Sequence, residues 1–566
     1  MDKIVPTSAP PSSSSSSKQE GSRKAPSFHP TLWGDFFLNY QLPTTPQLAV
    51  MKGRADVLRE EVRMILKETK EVAKILDLIM AIERLGLDVY YAKEIRELLD
   101  FVYSSDYNDK DLNLLSLRFY LLRKHGYDLS SGVFVSFKDR QGNFVVDNTR
   151  SLLSLYNAAS LRVHGEKVLD EAITFTALQL EGVLQQSDES PLSTEVSLAI
   201  EAPIFRRARI VEMRNYISIY EQIIEEHYSG NETVLELAKL NFNLLQLLYC
   251  EELNKITLWW KELQVKSNLS FSRDRIVEMY FWMNGALFEP RYSHSRIILT
   301  KMTALMTIID DVFDTYGTTE ESMQLAKAIN RWDESATELL PEYLKGFYTY
   351  LLKTFYSIEG ELGPDKRYRV FYLKEVLKQL VEAYSKELKW RDEDYVPKTL
   401  GEHLDVSTRS SGGFTLAVSS FVGMGDEIAI TKDVFEWILS YPSLFKSFDT
   451  FVRLSNDIVS NKREQTGDHY ASTIQCYMKE HGTTMDDACQ KLKELIENSW
   501  KDMVEHCCTN PTTDEQPLIV PQTLVNFART VTTMYSHGDA FTSSHAIKEM
   551  IKSLYVEPIQ MSTIEA

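Results

Sequence analysis

The chain has 566 residues with 62 basic and 81 acidic side chains, a net charge of −19, which argues against nucleic acid or an anionic membrane surface as its main partner. Its 23 Gly and 18 Pro are about 7% of residues against an average near 12%, so the composition favours helix. No run of 18 apolar residues suggests a membrane span, and five cysteines without a CxxC spacing (Cys250, Cys476, Cys489, Cys507, Cys508) suggest neither a disulfide framework nor a zinc site.

Residues 1–24 form a low-complexity leader, with Ser12 to Ser17 after Pro10 and Pro11, and are expected to be disordered. The leader carries Asp2 and Glu20 and has no Arg before Arg23. Organelle transit peptides are Arg-rich and poor in acids, so a cytoplasmic protein is expected. From Trp33 onward the pattern is helical. Val57, Leu58, Val62, Ile65 and Leu66 are read as one apolar face opposite a charged one, and similar runs recur to the C-terminus without sustained alternation, heptads or a fixed repeat. An all-α fold follows. The polar turn Tyr228-Ser229-Gly230-Asn231 marks a boundary between an N-terminal domain, 25–229, and a C-terminal domain, 230–566.

Every chemical motif lies in the second half. The apolar run Ile297, Ile298, Leu299, Met302, Leu305, Met306, Ile308, Ile309 reads as a buried helix that ends in Asp310-Asp311-Val312-Phe313-Asp314. On an α-helix, Asp310 and Asp314 are i,i+4 neighbours whose carboxylates lie about 5–6 Å apart. Such a cluster calls for cations, and oxygen-only ligands favour Mg²⁺ shared with substrate phosphates. Further on, Asn456, Ser460 and Glu464 are spaced i, i+4, i+8 and form a second oxygen-rich helix face. Either face alone is compatible with a solvated helix; two that meet across a cleft would hold Mg²⁺ around a diphosphate. Arg273 and Arg275 of the Arg-Asp-Arg triplet, and Arg453 on the Asn456 face, are candidates to receive phosphate oxygens. Trp282 is a candidate cavity wall that stabilises positive charge through its π face. The stretch Ser410-Ser411-Gly412-Gly413-Phe414 is expected to break a helix and free carbonyls.

These motifs, in order, resemble those of plant class I terpene synthases of the sesquiterpene group: Arg23-Lys24 followed after eight residues by Trp33, then Arg273-Asp274-Arg275, Trp282, Phe288-Glu289-Pro290, Asp310 to Asp314, and Asn456 to Glu464. The resemblance spans about Arg23 to Pro558. It implies two helical domains: a C-terminal class I terpenoid synthase fold enclosing the active-site cavity, and an N-terminal barrel-like domain that lacks a DxDD acid. It implies three Mg²⁺ ions, with Mn²⁺ as a possible substitute, bound by Asp310 and Asp314 on one side and Asn456, Ser460 and Glu464 on the other, with Asp311 in support. Arg273, Arg275 and Arg453 fall on diphosphate-contacting positions. Two departures stand out. The paired arginines of the N-terminal strand read Arg23-Lys24, and the lid's Asp-Gly-Tyr reads Asp539-Ala540-Phe541, which keeps Asp539 as a catalytic candidate but removes the phenol. The implied activity is ionisation of farnesyl diphosphate and cyclisation of the allylic cation, through a bisabolyl cation, by a monomer with no nucleic-acid or membrane partner. Alternatives are a monoterpene synthase acting on geranyl diphosphate, a chain-elongating prenyltransferase, which would carry a second DDxxD, and an inactive helical scaffold.

Overall fold

The computed structural model describes residues 28–105, 110–185, 190–227, 230–267, 269–425, 428, 430–464, 472–509, 516–536, 538, 540 and 543–561, the side chains of 227, 265, 266 and 461–464 excepted. Among the described residues there is no strand, only an isolated bridge between Lys138 and Phe144, as the shortage of Gly and Pro predicts. Among the described residues no helix is long and apolar enough to cross a membrane.

The helix Glu232–Ser267, 36 residues and about 54 Å long at 1.5 Å per residue, is the spine. Thr45–Glu68 and Arg209–His227 pack on it, as do Ile276–Ala286, Ser293–Asp311 and Glu342–Leu362. One apolar core therefore runs from Leu58 and Ile79 through Leu253 to Leu305 and Phe448. In Thr45–Glu68 the buried stripe is Ala55, Leu58, Val62 and Leu66, and Val57 is 52% exposed. This corrects the expected apolar face: at 100° per residue, Val57 stands well away from the line through Leu58 and Val62. The spine also fixes the aspartate-bearing helix. Arg296, fully buried, pairs with Glu252 at 2.6 Å and donates to the carbonyls of Leu287 and Glu289, while the Tyr280 hydroxyl donates to Glu252 at 2.8 Å. Both charges are satisfied by hydrogen bonds, as burial of an ion pair requires.

Around the C-terminal half five helices close a ring. Ile276–Ala286 packs on Ser293–Asp311, which packs on Gly413–Val422, then on Ser443–Glu464, then on Ile519–Tyr535, which returns to Ile276–Ala286. Gly285 allows the last contact: a Cβ there would lie 2.4 Å from Thr530 Oγ1. The expected helix break is present. Leu400–Ser410 ends, Gly412 adopts φ +78° and Gly413–Val422 begins, a left-handed turn that only glycine makes without strain. A Cβ on Gly412 would meet Met306 at 2.7 Å, so the break packs directly against the aspartate helix.

Candidate functional site

Asp310 and Asp311 close the helix Ser293–Asp311, whose interior is buried from Ile298 to Ile309. Asp314 does not continue that α-helix. Val312–Tyr316 is a π-helical turn closed by Gly317 N–H to Val312 O at 2.8 Å, and a Cβ on Gly317 would collide with that carbonyl at 2.7 Å. The α-helical i,i+4 relation expected for Asp310 and Asp314 is thereby corrected to a wider turn, a local geometry that recurs at functional sites. Asp311 is 2% exposed and points inward: it accepts from Ser272 Oγ and from the Arg273 amide, each at 2.9 Å. Asp310 is half-buried and Asp314 is exposed. Burial and the neighbouring Asp310 and Glu387 charges push the Asp314 carboxyl well above the usual carboxylate range; although accessible, it is ringed by protein and by like charge.

Arg273 spans the aspartates, Nη2 to Asp310 at 2.5 Å and Nε to Asp311 at 2.8 Å. Arg275 does not join them. It is 1% exposed and its Nη1 donates to the carbonyls of His29 and Asp274, so it holds the N-terminal segment rather than facing the aspartates. That segment crosses the motif. The Arg273 guanidinium stands 5.7 Å from the Phe28 ring, and Trp33 Nε1 donates to Glu278 at 3.0 Å. Arg23 and Lys24 lie outside the described residues.

The second face is carried by Ser443–Glu464. Arg453 pairs with Asp457 at 2.6 Å, and Asp457 also accepts from Thr473. Asn456 Nδ2 donates to the Tyr535 hydroxyl at 3.1 Å, which leaves its Oδ1 as the atom for a cation. Ser460 is 1% exposed, and its hydroxyl has no hydrogen-bond partner among the described residues. The Glu464 side chain, Asp539 and Phe541 lie outside them. Trp282, on Ile276–Ala286, is half-buried and meets Tyr535 edge to face at 6.1 Å between ring centroids. Tyr535 thus joins the candidate wall to the Asn456 face.

Two side chains absent from the sequence reading tie the faces together. Glu387, on Arg369–Asp392, accepts from Ser410 Oγ at 2.7 Å. Burial lifts its carboxyl to about 7, with Arg453 pulling down and Asp457 and Asp310 pushing up. Glu387 thus lies within electrostatic reach of Asp457 in one motif and of Asp310 in the other. Tyr384, one turn earlier, hydrogen-bonds Asp310, and its phenol is pushed far up by burial and by Asp310 and Asp314. The signal was available: Leu380, Tyr384 and Glu387 follow the i, i+4, i+7 stripe of a buried helix face, where a carboxylate is out of place unless it has work to do.

Among the described residues no three His, Cys, Asp or Glu side chains converge on one point. The donor set still fits Mg²⁺, which takes one or two carboxylates per ion and completes its shell with water and phosphate. An orphaned buried hydroxyl at Ser460, an amide oxygen at Asn456 and mutually repelling carboxyls at Asp310 and Asp314 are oxygen donors only, as a hard cation prefers.

Residues 261–502 match the terpene synthase family, metal binding domain, and residues 32–200 the terpene synthase N-terminal domain. The chain is 62% identical over 548 residues to a beta-sesquiphellandrene synthase of Sorghum bicolor, covering 97% of this chain and 99% of that protein. It is 63% identical over 539 residues to a zingiberene synthase of the same plant, covering 95% and 98%, and 60% identical over 539 residues to an (E)-beta-farnesene synthase of Zea perennis, covering 95% and 99%. Among solved structures it resembles isoprene synthase from grey poplar leaves in complex with three Mg²⁺ ions and dimethylallyl-S-thiolodiphosphate (TM-score 0.84, 31% identity, 91% of this chain and 98% of that one). It also resembles limonene synthase with 2-fluorolinalyl diphosphate (TM-score 0.86, 28% identity, 95% and 100%). With near-complete coverage of relatives about 60% identical and both family domains in order, the chain belongs to the terpene synthase family.

Proposed function

We propose that the protein is a sesquiterpene synthase: it ionises farnesyl diphosphate and guides the allylic cation through a bisabolyl cation to sesquiterpene olefins, releasing diphosphate. The observation that supports this reading is the placing of Glu387 within electrostatic reach of Asp310 in one oxygen-rich motif and of Asp457 in the other. The relatives at about 60% identity are named for sesquiterpene products.

In this proposal Asp310 and Asp314 hold metal on one side and Asn456, Ser460 and Glu464 on the other. Three Mg²⁺ ions, for which Mn²⁺ can substitute, supply Lewis-acid stabilisation of the charge that builds on the leaving diphosphate. The chain's own residues do the rest. Arg273, bridging Asp310 and Asp311, and Arg453, anchored on Asp457, bring fixed positive charge to the cleft, where preorganised groups aimed at developing charge lower the barrier. Arg275 acts at one remove, holding residues 28–33 over Arg273 and helping to exclude water. Trp282 and Tyr535 present aromatic faces to the carbocation, and carbonyls freed at the Ser410–Gly413 break add partial negative charge.

We further infer a division into domains near residue 230, action on a prenyl diphosphate in the cytosol, and a monomeric state. The metal assignment is tested by Asp310→Ala and by the double change Asn456→Ala with Glu464→Ala. Both are expected to remain folded and to lose turnover of farnesyl diphosphate; a folded variant with near wild-type kcat would refute it.

A further inference from the structure

A cavity of about 460 Å³, lined by none of the metal-motif residues, lies between Glu83, Asp88 and the Lys124–His125 end of the N-terminal helices and the helices Ile276–Ala286, Met485–Cys508 and Ile519–Tyr535. Its volume is within the range of small-molecule sites. Its apolar part includes Leu287, Phe288 and Phe205, and its polar part includes one face of Ile519–Tyr535, where Gln522, Asn526 and Arg529 are spaced i, i+4, i+7.

Among the described residues the acidic side chains lining this cavity are each paired with a cation. Glu83 is taken by Lys124 at 2.7 Å and His125 at 2.5 Å, Asp88 by Arg209 at 2.6 Å, and Glu289 by Arg291 at 2.7 Å. Beneath it, Glu212 and Glu195 are taken by Arg84 and Arg207. Arg529, 7% exposed, has no carboxylate partner among the described residues. Its Nε donates to the Phe205 carbonyl at 2.6 Å and its Nη1 to Asn526 Oδ1 at 2.7 Å, neutral acceptors both, and Nη2 has no acceptor among the described residues. Burial and the like charge of Arg209 pull this guanidinium down to about 10; Tyr120 and the Cys507 and Cys508 thiols push the other way. A buried, unmatched cation is costly. The guanidinium also lies over the Phe205 ring, 4.3 Å from its centroid, but a ring face carries no counter-charge, so the positive charge is unmatched by any described carboxylate.

We propose that this cavity is a second ligand site, separate from the metal-motif cleft, for a small amphiphilic oxyanion: a carboxylate or phosphate ester received by the Arg529 fork, with its apolar body against Leu287 and Phe288. A guanidinium fork matches the oxygens of either head group bidentately. None of the metal-motif residues lines this cavity.

The test is isothermal titration calorimetry on the full-length protein with Mg²⁺ and saturating farnesyl S-thiolodiphosphate, so that the metal-motif cleft is filled. Octanoate, octyl phosphate and inorganic phosphate are titrated in turn. One site per chain is expected for octanoate or octyl phosphate, the tighter of the two identifying the head group, with inorganic phosphate at least tenfold weaker than octyl phosphate. Arg529→Gln should weaken binding at least tenfold. Because that change could disturb folding, Gln522→Trp, on the exposed rim, serves as a second variant that fills the mouth, and it too should weaken binding at least tenfold. No saturable binding of either amphiphile, or affinity within twofold of wild type in folded Gln522→Trp, would overturn the proposal. Inorganic phosphate binding as tightly as octyl phosphate would overturn the apolar half of it.

Discussion

Removing the Ser460 hydroxyl should make the metal-free protein more stable and the enzyme worse. The side chain is 1% exposed and its Oγ is unpartnered among the described residues. An unsatisfied buried hydroxyl costs about 1–3 kcal/mol, and Ala is the better helix former by a few tenths of a kcal/mol. Ser460→Ala in EDTA should therefore gain about 1 kcal/mol, which in a chain this long raises the unfolding midpoint by roughly 1–3 °C. With Mg²⁺ and farnesyl S-thiolodiphosphate the order should reverse, because ligands that bind only the native state stabilise in proportion to their affinity, and the variant has lost a donor. Turnover should fall at least tenfold, which corresponds to about 1.4 kcal/mol of lost transition-state stabilisation. Scanning fluorimetry in both buffers and steady-state kinetics read the two halves. A variant that is less stable without metal and as active as wild type would show that Ser460 is a packing residue, and the second metal face would lose its central donor.

Two other predictions concern the ring of helices. Trp282→Leu should lower kcat more than Trp282→Phe and shift products toward acyclic or early-quenched olefins, since a cation–π contact in a dry site is worth about 2 kcal/mol; unchanged product ratios by gas chromatography in both folded variants would return Trp282 to the core. Gly285→Ala should destabilise by about 1–3 kcal/mol through overpacking, because its Cβ would meet Thr530 at 2.4 Å. Thr530→Ala should restore most of that loss, and denaturation midpoints that simply add would contradict the contact.

The helical class, the aspartate helix, the Asn456 face and the Gly412 break were legible because each is a local matter of periodicity, ligand spacing or glycine's access to positive φ. What escaped was set by tertiary contact. Whether the turn after Asp311 is α or π depends on the close approach of Gly317 to Val312 O, and that Arg275 faces the N-terminal segment depends on the His29 carbonyl 246 residues away. Glu387, between Lys386 and Leu388, reads as one charge among many; only its place on the Leu380–Tyr384 stripe separates it from the solvated glutamates of the same helix. Val57 was assigned to the apolar face from its residue type, although its angle along the helix excludes it.

The central claim, that the cleft ionises a prenyl diphosphate under the control of oxygen-bound metal, is tested most directly by incubating the protein with farnesyl, geranyl and geranylgeranyl diphosphates, with Mg²⁺ and with EDTA, and identifying the hydrocarbons by gas chromatography and mass spectrometry. Sesquiterpene olefins from farnesyl diphosphate at the highest kcat/KM, with diphosphate released and no product in EDTA, are the predicted result. Turnover that persists in EDTA, or a longer prenyl diphosphate in place of olefin, would contradict it.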